Sequence, residues 1–168
     1  MTTRTLVLMR HAKAGTTAPT DHDRPLTDQG REAARAAGEW LGSQGLAADA
    51  ALVSDAVRTR ETWELVAEGA GWDVAPQLSA PLYAADPQSA LDLVTGSEAD
   101  VRCLVVVGHN PTVAFLAQQL DDGAGDSDAV DAMITGGYPP GTVTVFEVSG
   151  EWSDLAQARL LAHHVPAR

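Results

Sequence analysis

Cysteine is almost absent from this sequence. The 168 residues include a single cysteine, Cys103, so no disulfide can form within the chain. Cys103 lies in the apolar run at residues 103–107, and we expect a buried, unreactive thiol in a protein of a reducing compartment. Hydrophobic residues make up 45% and charged residues 20% of the chain. That balance is typical of a folded globular protein and excludes a disordered one.

Basic residues and long apolar runs are also scarce. Lys and Arg total 11 against 23 Asp and Glu, which gives a net charge of −12. This charge repels nucleic acids and anionic membranes, so we expect neither as a partner. No run of about 18 apolar residues is present, and the N-terminus leads directly into an apparent strand. We therefore expect a cytoplasmic protein, and the length predicts one domain, residues 1–168.

Short apolar runs alternate with segments of helical spacing. The predicted strands lie at residues 5–9, 50–53, 103–107, 142–148 and 156–163. The predicted helices lie between the N-cap Thr27 and Gly45, and at residues 59–70, 87–94 and 112–120. This alternation predicts an α/β fold, with a mostly parallel central sheet and helices on both of its faces.

Polar side chains follow three of these strands. Arg10 and His11 end the first strand, Ser54 and Arg58 follow the second, and His109 follows the strand at residues 103–107. Ligands of such sheets bind beyond the carboxyl ends of the strands. We therefore expect these side chains to meet at one rim of the sheet.

Two of these residues suit the binding of a phosphoryl group. Arg10 and Arg58 can give planar, bidentate contacts to its oxygens and do not lose their charge. The alternative for Arg58 is an ordinary surface ion pair with Glu61 or Glu64 on its own helix.

The histidines could supply a nucleophile. A neutral imidazole can attack phosphorus and split one displacement into two steps, and on chemistry alone either His11 or His109 could do so. Asn110 is predicted as a helix N-cap, with Pro111 at the first helical position. A helix start of this kind favours an anion, although it could also be no more than a well-capped turn.

Other charged segments have simpler explanations. Asp23 and Arg24 could form a local pair that shapes a loop. Residues 121–128 superficially suggest calcium but lack the ligand spacing of a calcium-binding loop, so we expect a solvated loop. His163 and His164 form a late pair that we expect at the surface. We therefore predict no metal site.

Four segments of the chain resemble the histidine phosphatase superfamily, which also contains the phosphoglycerate mutases. In the family's order they are an Arg-His signature at residues 6–14, an Asp-Arg-Pro-Leu-Thr segment at 23–30, a Ser-to-Thr segment at 53–62 and a Gly-His-Asn-Pro motif at 107–111. The short length and the Arg-His-Ala-Lys start most resemble the SixA-type phosphohistidine phosphatases. The resemblance implies a three-layer α/β/α domain of the phosphoglycerate mutase-like fold that needs neither metal nor cofactor.

The resemblance also implies roles for the four rim residues. His11 would be the nucleophile that becomes phosphorylated, and His109 would stabilise the transferring group. Arg10 and Arg58 would hold the phosphoryl oxygens. The substrate would be a protein carrying phosphohistidine, or a small phosphorylated molecule.

Three further residues match family positions that support the phosphate pocket, namely Ser54, Glu61 and Asn110. The sequence departs from the family pattern at Pro139-Pro140-Gly141, where relatives tend to show Pro-Thr.

A second departure concerns the proton donor. Phosphoester-cleaving relatives carry a glutamate that falls at Tyr83 in this sequence, while Asp86 is expected to open the next helix. Without an acid, the site favours a leaving group such as imidazole, with a pKa near 6.5, over an alkoxide. Asp21, His22 or Asp23 could substitute as the donor. The alternatives are therefore a small-molecule phosphoesterase and, more remotely, a phosphate-binding module without catalysis.

Overall fold

A computed structural model describes residues 2–167 of the chain. Its strands are β1 (Thr3–Arg10), β2 (Ala50–Ser54), β3 (Gln77–Ser79), β4 (Cys103–Gly108), β5 (Val143–Ser149) and β6 (Arg159–His164). Its α-helices are α1 (Asp28–Ser43), α2 (Val57–Ala70), α3 (Ala80–Tyr83), α4 (Pro87–Thr95), α5 (Thr112–Leu120) and α6 (Ser127–Gly136). Short 3₁₀ turns lie at Asp21–Asp23 and Trp152–Asp154.

The strands form one sheet in the order β3-β2-β4-β1-β5-β6. The pairs β3-β2, β2-β4 and β4-β1 are parallel, while β5 runs antiparallel to both β1 and β6. The predicted mostly parallel sheet is confirmed. Because β5 runs against β1, it begins at the rim where β1 ends, and Val143 pairs with Met9.

The alternation of side chains along the buried strands creates two hydrophobic cores. Leu6 and Leu8 of β1 contribute to the core that includes buried residues of α4, α5 and α6. Val7 and Met9 point to the opposite face, where the core includes buried residues of α1 and α2. Helices therefore cover both faces, which confirms the predicted three-layer α/β/α architecture.

Several local predictions hold. Thr27 caps α1, because its side chain accepts a hydrogen bond from the Gly30 amide at 3.0 Å. Asp86 opens α4 in the same way through the Ser89 amide. Cys103 is buried, and burial raises the pKa of its thiol to about 12.

No helix within residues 2–167 is long and apolar enough to cross a membrane.

Other local predictions were wrong. Helix α2 begins at Val57 rather than Thr59, because the Thr59 hydroxyl donates back to the Ser54 and Ala56 carbonyls inside the first turn. The final strand begins at Arg159 rather than residue 156. Strand β3 and helix α3 were missed because they have three and four residues and too little periodicity to detect.

The acidic segment was also misread in part. Residues 127 and 128 belong to α6, and the Asp126 side chain caps that helix by accepting from the Ala129 amide at 2.9 Å. The histidine pair near the C-terminus is half-buried rather than at the surface, since His163 bonds to Thr144 and His164 stacks on Trp40.

Two glycines allow α1 and α2 to pack closely. A Cβ atom on Gly38 would lie 2.1 Å from the Val66 carbonyl oxygen, and one on Gly69 would lie 2.2 Å from the Arg35 carbonyl oxygen. Both neighbouring atoms are backbone, so the helices themselves would have to separate.

We therefore predict that Gly38→Ala lowers the free energy of unfolding by about 1–3 kcal/mol despite the higher helix propensity of alanine. Gly96→Ala is the matched control, because its Cβ would meet nothing closer than 3.5 Å. Chemical denaturation followed by circular dichroism measures both changes. Equal stability of the two variants would contradict the close approach of the helices.

Candidate active site

The three strand ends meet as the sequence predicts. Arg10 at the end of β1 pairs with Gly108 at the end of β4, so the next residues, His11 and His109, lie side by side. Their ring centroids are 5.5 Å apart. Ser54 at the end of β2 contacts the second of these rings, with its Oγ 2.7 Å from Nε2 of His109.

His11 is buried and its tautomer is fixed. Its Nδ1 lies 2.7 Å from the Ala12 carbonyl oxygen, which can only accept, so Nδ1 carries the proton. Nε2 is left with its lone pair. Burial is the main cause that lowers the pKa of His11 to about 3, and the nearby His109, Arg58 and Arg10 add to it. His11 is therefore a neutral imidazole at physiological pH.

His109 is neutral for the same reasons. Burial, followed by the charge of Arg58, lowers its pKa to about 4. Its Nδ1 is buried and has no hydrogen-bond partner among residues 2–167. The Ser54 hydroxyl can either donate to Nε2 or accept from it, so the tautomer of His109 is not fixed as that of His11 is.

Both predicted arginines reach the site. Arg10 donates from one terminal nitrogen to the Tyr138 carbonyl at 3.0 Å. Arg58 donates to the backbone carbonyl of Asp21 at 2.8 Å and to its carboxylate at 3.1 Å. The Nε atoms of both arginines are buried and unpaired within the described part of the chain. Burial, together with the charge of Arg58, lowers the pKa of Arg10.

The alternative explanation of Arg58 as an ion-pair partner on its own helix was wrong. Arg58 is 6% exposed and bonds to Asp21 instead. Glu61 lies near the site without entering it, because its carboxylate accepts from the Leu26 amide at 3.0 Å and from Arg31 at 2.8 Å. Glu61 thus ties the segment after the Asp21–Asp23 turn to α2.

The cap predicted at Asn110 is one residue out of place. Helix α5 begins at Thr112 and Pro111 is the residue before it, so Pro111 is not the first helical residue. The Asn110 side-chain oxygen nevertheless accepts from the Ala114 amide in the first turn at 3.2 Å. Its amide nitrogen donates to the same Tyr138 carbonyl as Arg10, at 3.0 Å.

The segment before β5 supports the site through its backbone, and sequence reasoning missed this role. The Gly141 amide donates to the His11 carbonyl at 2.8 Å, and the Thr142 carbonyl accepts from the Arg10 amide at 3.1 Å. Tyr138 is buried, and its hydroxyl donates to the Leu8 carbonyl at 3.1 Å. The unusual Pro139-Pro140-Gly141 stretch is therefore part of the turn that holds Arg10 and His11.

Asp21 and Tyr83 close one side of the site. The Tyr83 hydroxyl donates to Asp21 Oδ2 at 2.5 Å, and the Tyr83 ring lies edge-on to His109 with centroids 5.3 Å apart. The hydrogen bond from Tyr83, followed by that from Arg24, lowers the pKa of Asp21, and the same contact with Asp21 raises the pKa of Tyr83.

The simpler explanation of Asp23 and Arg24 as a local pair does not hold. Arg24 pairs with Asp21 at 2.9 Å, and Asp23 accepts from the Thr20 hydroxyl at 2.8 Å. His22 contacts Asp55 at 3.0 Å, and its ring lies edge-on to that of Tyr83 with centroids 5.1 Å apart. Residues 2–167 contain no group of three or more His, Cys, Asp or Glu side chains that could hold a metal ion.

The arrangement therefore combines two neutral imidazoles with two permanently charged guanidinium groups. Unpaired buried donors are costly unless a ligand satisfies them, and here they belong to three residues whose charges or rings lie near His11. The site is built to receive a small, compact anion next to the free Nε2 atom.

Comparison with known proteins agrees with this geometry. Residues 6–81 match the histidine phosphatase superfamily (branch 1). The chain is 37% identical to a solved protein from Nakamurella multipartitia that is named as a candidate phosphohistidine phosphatase SixA. The match covers 100% of this chain and 99% of that protein, with a TM-score of 0.86.

Two curated relatives are also similar to this chain. An uncharacterized protein of Mycobacterium tuberculosis is 36% identical over 161 residues, which cover 94% of this chain and 99% of the relative. Phosphohistidine phosphatase SixA of Escherichia coli is 29% identical over 120 residues, which cover 69% of this chain and 73% of the relative. This chain therefore belongs to the histidine phosphatase superfamily and is a phosphatase, a hydrolase of the histidine type.

Proposed function

We propose that this phosphatase removes phosphoryl groups from phosphohistidine in proteins, by way of a phosphohistidine intermediate on its own His11. The observation that carries the proposal is the tautomer of His11. Its Nδ1 proton is held by the Ala12 carbonyl, which leaves the Nε2 lone pair available, and its low pKa keeps that lone pair unprotonated. Attack by Nε2 on phosphorus replaces one hard displacement with two easier ones.

The surrounding donors support the same role. Arg10 and Arg58 are anchored through their terminal nitrogens, so their unpaired Nε atoms remain for phosphoryl oxygens. In a site largely shielded from water, such preorganised donors stabilise the charge that develops during transfer. When Ser54 donates to Nε2 of His109, the unpaired Nδ1 of His109 carries a proton and becomes a third donor. Asn110 supports Arg10 through their shared carbonyl.

The absence of an acid among the groups lining this site favours phosphohistidine as the substrate class. Asp21 is ionised and Tyr83 holds its proton more tightly than a free phenol, so neither donates a proton well at neutral pH. An alkoxide needs such a proton to depart, whereas an imidazole, with a pKa near 6.5, can already carry a proton on its other ring nitrogen. The names of the SixA-type relatives support the same substrate class.

A panel of substrates at matched concentration tests the proposal. We expect the highest kcat/KM for a phosphohistidine peptide, a lower value for phospholysine, and the lowest for alkyl phosphates such as glycerol phosphate. Alkyl phosphates cleaved as fast as the phosphohistidine peptide would instead identify a small-molecule phosphoesterase. Stoichiometric phosphate binding without turnover of any substrate would indicate a binding module.

Tyr83 offers a way to install the missing acid. In Tyr83→Glu the new carboxyl would lie beside the ionised Asp21, and like charge raises its pKa toward that of a useful proton donor. We expect kcat/KM for glycerol phosphate to rise relative to that for the phosphohistidine peptide. Tyr83→Gln has a similar shape but no acid, and should not produce this change. A rise in both variants would show that loss of the phenol, rather than gain of an acid, is responsible.

Arg58 tests the contribution of a fixed guanidinium. A lysine supplies a point charge that cannot bond to Asp21 and to a phosphoryl oxygen in the same planar geometry. We expect Arg58→Lys to reduce kcat/KM on the order of a hundredfold. Arg35→Lys serves as the control, because Arg35 makes only a partly exposed ion pair with Glu68 at 3.7 Å. Parental kcat/KM in Arg58→Lys would contradict the proposed role.

A further inference from the structure

Asp21 is a carboxylate that lies directly against the site. It belongs to the short turn Asp21–Asp23, which lies on the Arg58 side of the rim. Arg24 donates to its Oδ1 at 2.9 Å, while Arg58 and the Tyr83 hydroxyl donate to its Oδ2 at 3.1 Å and 2.5 Å. Three donors on three different segments therefore fix the position of this carboxylate.

One acceptor position of Asp21 remains free. An ionised carboxylate has about four lone-pair positions, and the contacts above use one on Oδ1 and two on Oδ2. The side chain is 53% exposed, so the free position on Oδ1 is accessible to a ligand. The carboxylate is thus both immobilised and able to accept one more hydrogen bond.

Two of the residues that hold Asp21 are close to the reacting groups. The Tyr83 ring, whose hydroxyl bonds to Asp21, packs edge-on to His109. The central carbon of the Arg58 guanidinium, which also bonds to Asp21, lies 5.9 Å from the centroid of the Tyr83 ring. A negative charge at this place attracts a cationic leaving group and repels an anionic one.

We propose that Asp21 accepts a hydrogen bond from the ring N–H of the substrate's phosphorylated imidazole, and thereby keeps that leaving group protonated. This inference rests on the function proposed above and extends it to the residue that selects the substrate. Asp21 neither gives nor takes a proton in this role; it recognises the charge of the substrate ring.

The transfer step balances with this assignment. The His11 Nε2 lone pair forms a bond to phosphorus, and the bond from phosphorus to the substrate nitrogen breaks. The electron pair of that bond stays on the substrate nitrogen, while the other ring nitrogen keeps the proton that faces Asp21. The substrate imidazole departs neutral, and the positive charge moves to the phosphorylated ring of His11, whose Nδ1 proton faces the Ala12 carbonyl. Water then hydrolyses that ring's phosphorus–nitrogen bond.

The pH behaviour depends on the groups that face Asp21. Guanidinium groups such as those of Arg24 and Arg58 do not lose their charge. The bond to Asp21 raises the pKa of Tyr83, and burial lowers that of His109. His22 and Asp55 pair with each other nearby, and the His22 ring lies 5.1 Å from the Tyr83 ring. The substrate ring is the group that Asp21 acts on. The Asp21 carboxylate stabilises the protonated form of the substrate ring up to a higher pH. The contribution of Asp21 to kcat/KM for phosphohistidine therefore grows as the pH rises.

Asp21→Asn tests the proposal, because it removes the charge while keeping the shape. The readout is the ratio of kcat/KM for a phosphohistidine peptide to that for p-nitrophenyl phosphate, whose leaving group carries no N–H and no positive charge. Loss of a charge-assisted hydrogen bond should lower this ratio by about tenfold or more relative to the parent. The decrease should be larger at pH 8.5 than at pH 6.

Asp23→Asn is the matched control. Asp23 is exposed, lies on the same turn and bonds only to Thr20, so its removal changes the net charge equally and should leave the ratio unchanged. An equal loss on both substrates in Asp21→Asn would show that Asp21 only positions Arg58, and would overturn the inference. An unchanged ratio would overturn it as well. A parent enzyme without phosphohistidine turnover would overturn the proposed function, and this inference with it.

Discussion

The parallel pairing of β1 with β4 determines where Arg10 and the two histidines of the site lie. In this register Arg10 lies opposite Gly108, and each strand then delivers one histidine to the same rim. A shift of one residue would turn Leu6 and Leu8 from one hydrophobic core toward the other, so burial on both faces specifies the register strongly. The 5.5 Å separation of the two imidazoles is therefore fixed by the packing of the sheet as well as by the site.

The site also has to hold cations next to imidazoles without protonating them. Burial lowers the pKa of both histidines, and the guanidinium groups beside them act in the same direction. Backbone carbonyls of Tyr138 and Asp21 accept hydrogen bonds from the two guanidinium groups. In a chain with a net charge of −12, this small cluster concentrates positive charge where an anion can use it. Asp21 compensates part of that charge from the outside, at the position where a leaving group would depart.

The sequence predicted the layers of the fold and the meeting of Arg10, His11, Arg58 and His109, because buried strands and the residues after them leave a clear pattern. The chemistry of the residues alone left the choice between the histidines open, and only the resemblance favoured His11. The contact of His11 Nδ1 with the Ala12 carbonyl, which supports that choice, involves a backbone group with no sequence signal. The backbone contacts of Tyr138 and Gly141 were missed for the same reason. Asp21 was one of three acidic or basic side chains considered as a donor, and only the contacts across the fold with Arg58 and Tyr83 distinguish it.

In the proposed mechanism the phosphoryl group passes through His11. Rapid quenching after mixing with a labelled phosphohistidine peptide, followed by peptide mapping, measures this directly. We expect acid-labile, alkali-stable phosphate on Nε2 of His11, present in His109→Gln and lost in His11→Ala, with both variants folded by circular dichroism. Label that persists in His11→Ala at the parental stoichiometry, or that maps to His109, would contradict it.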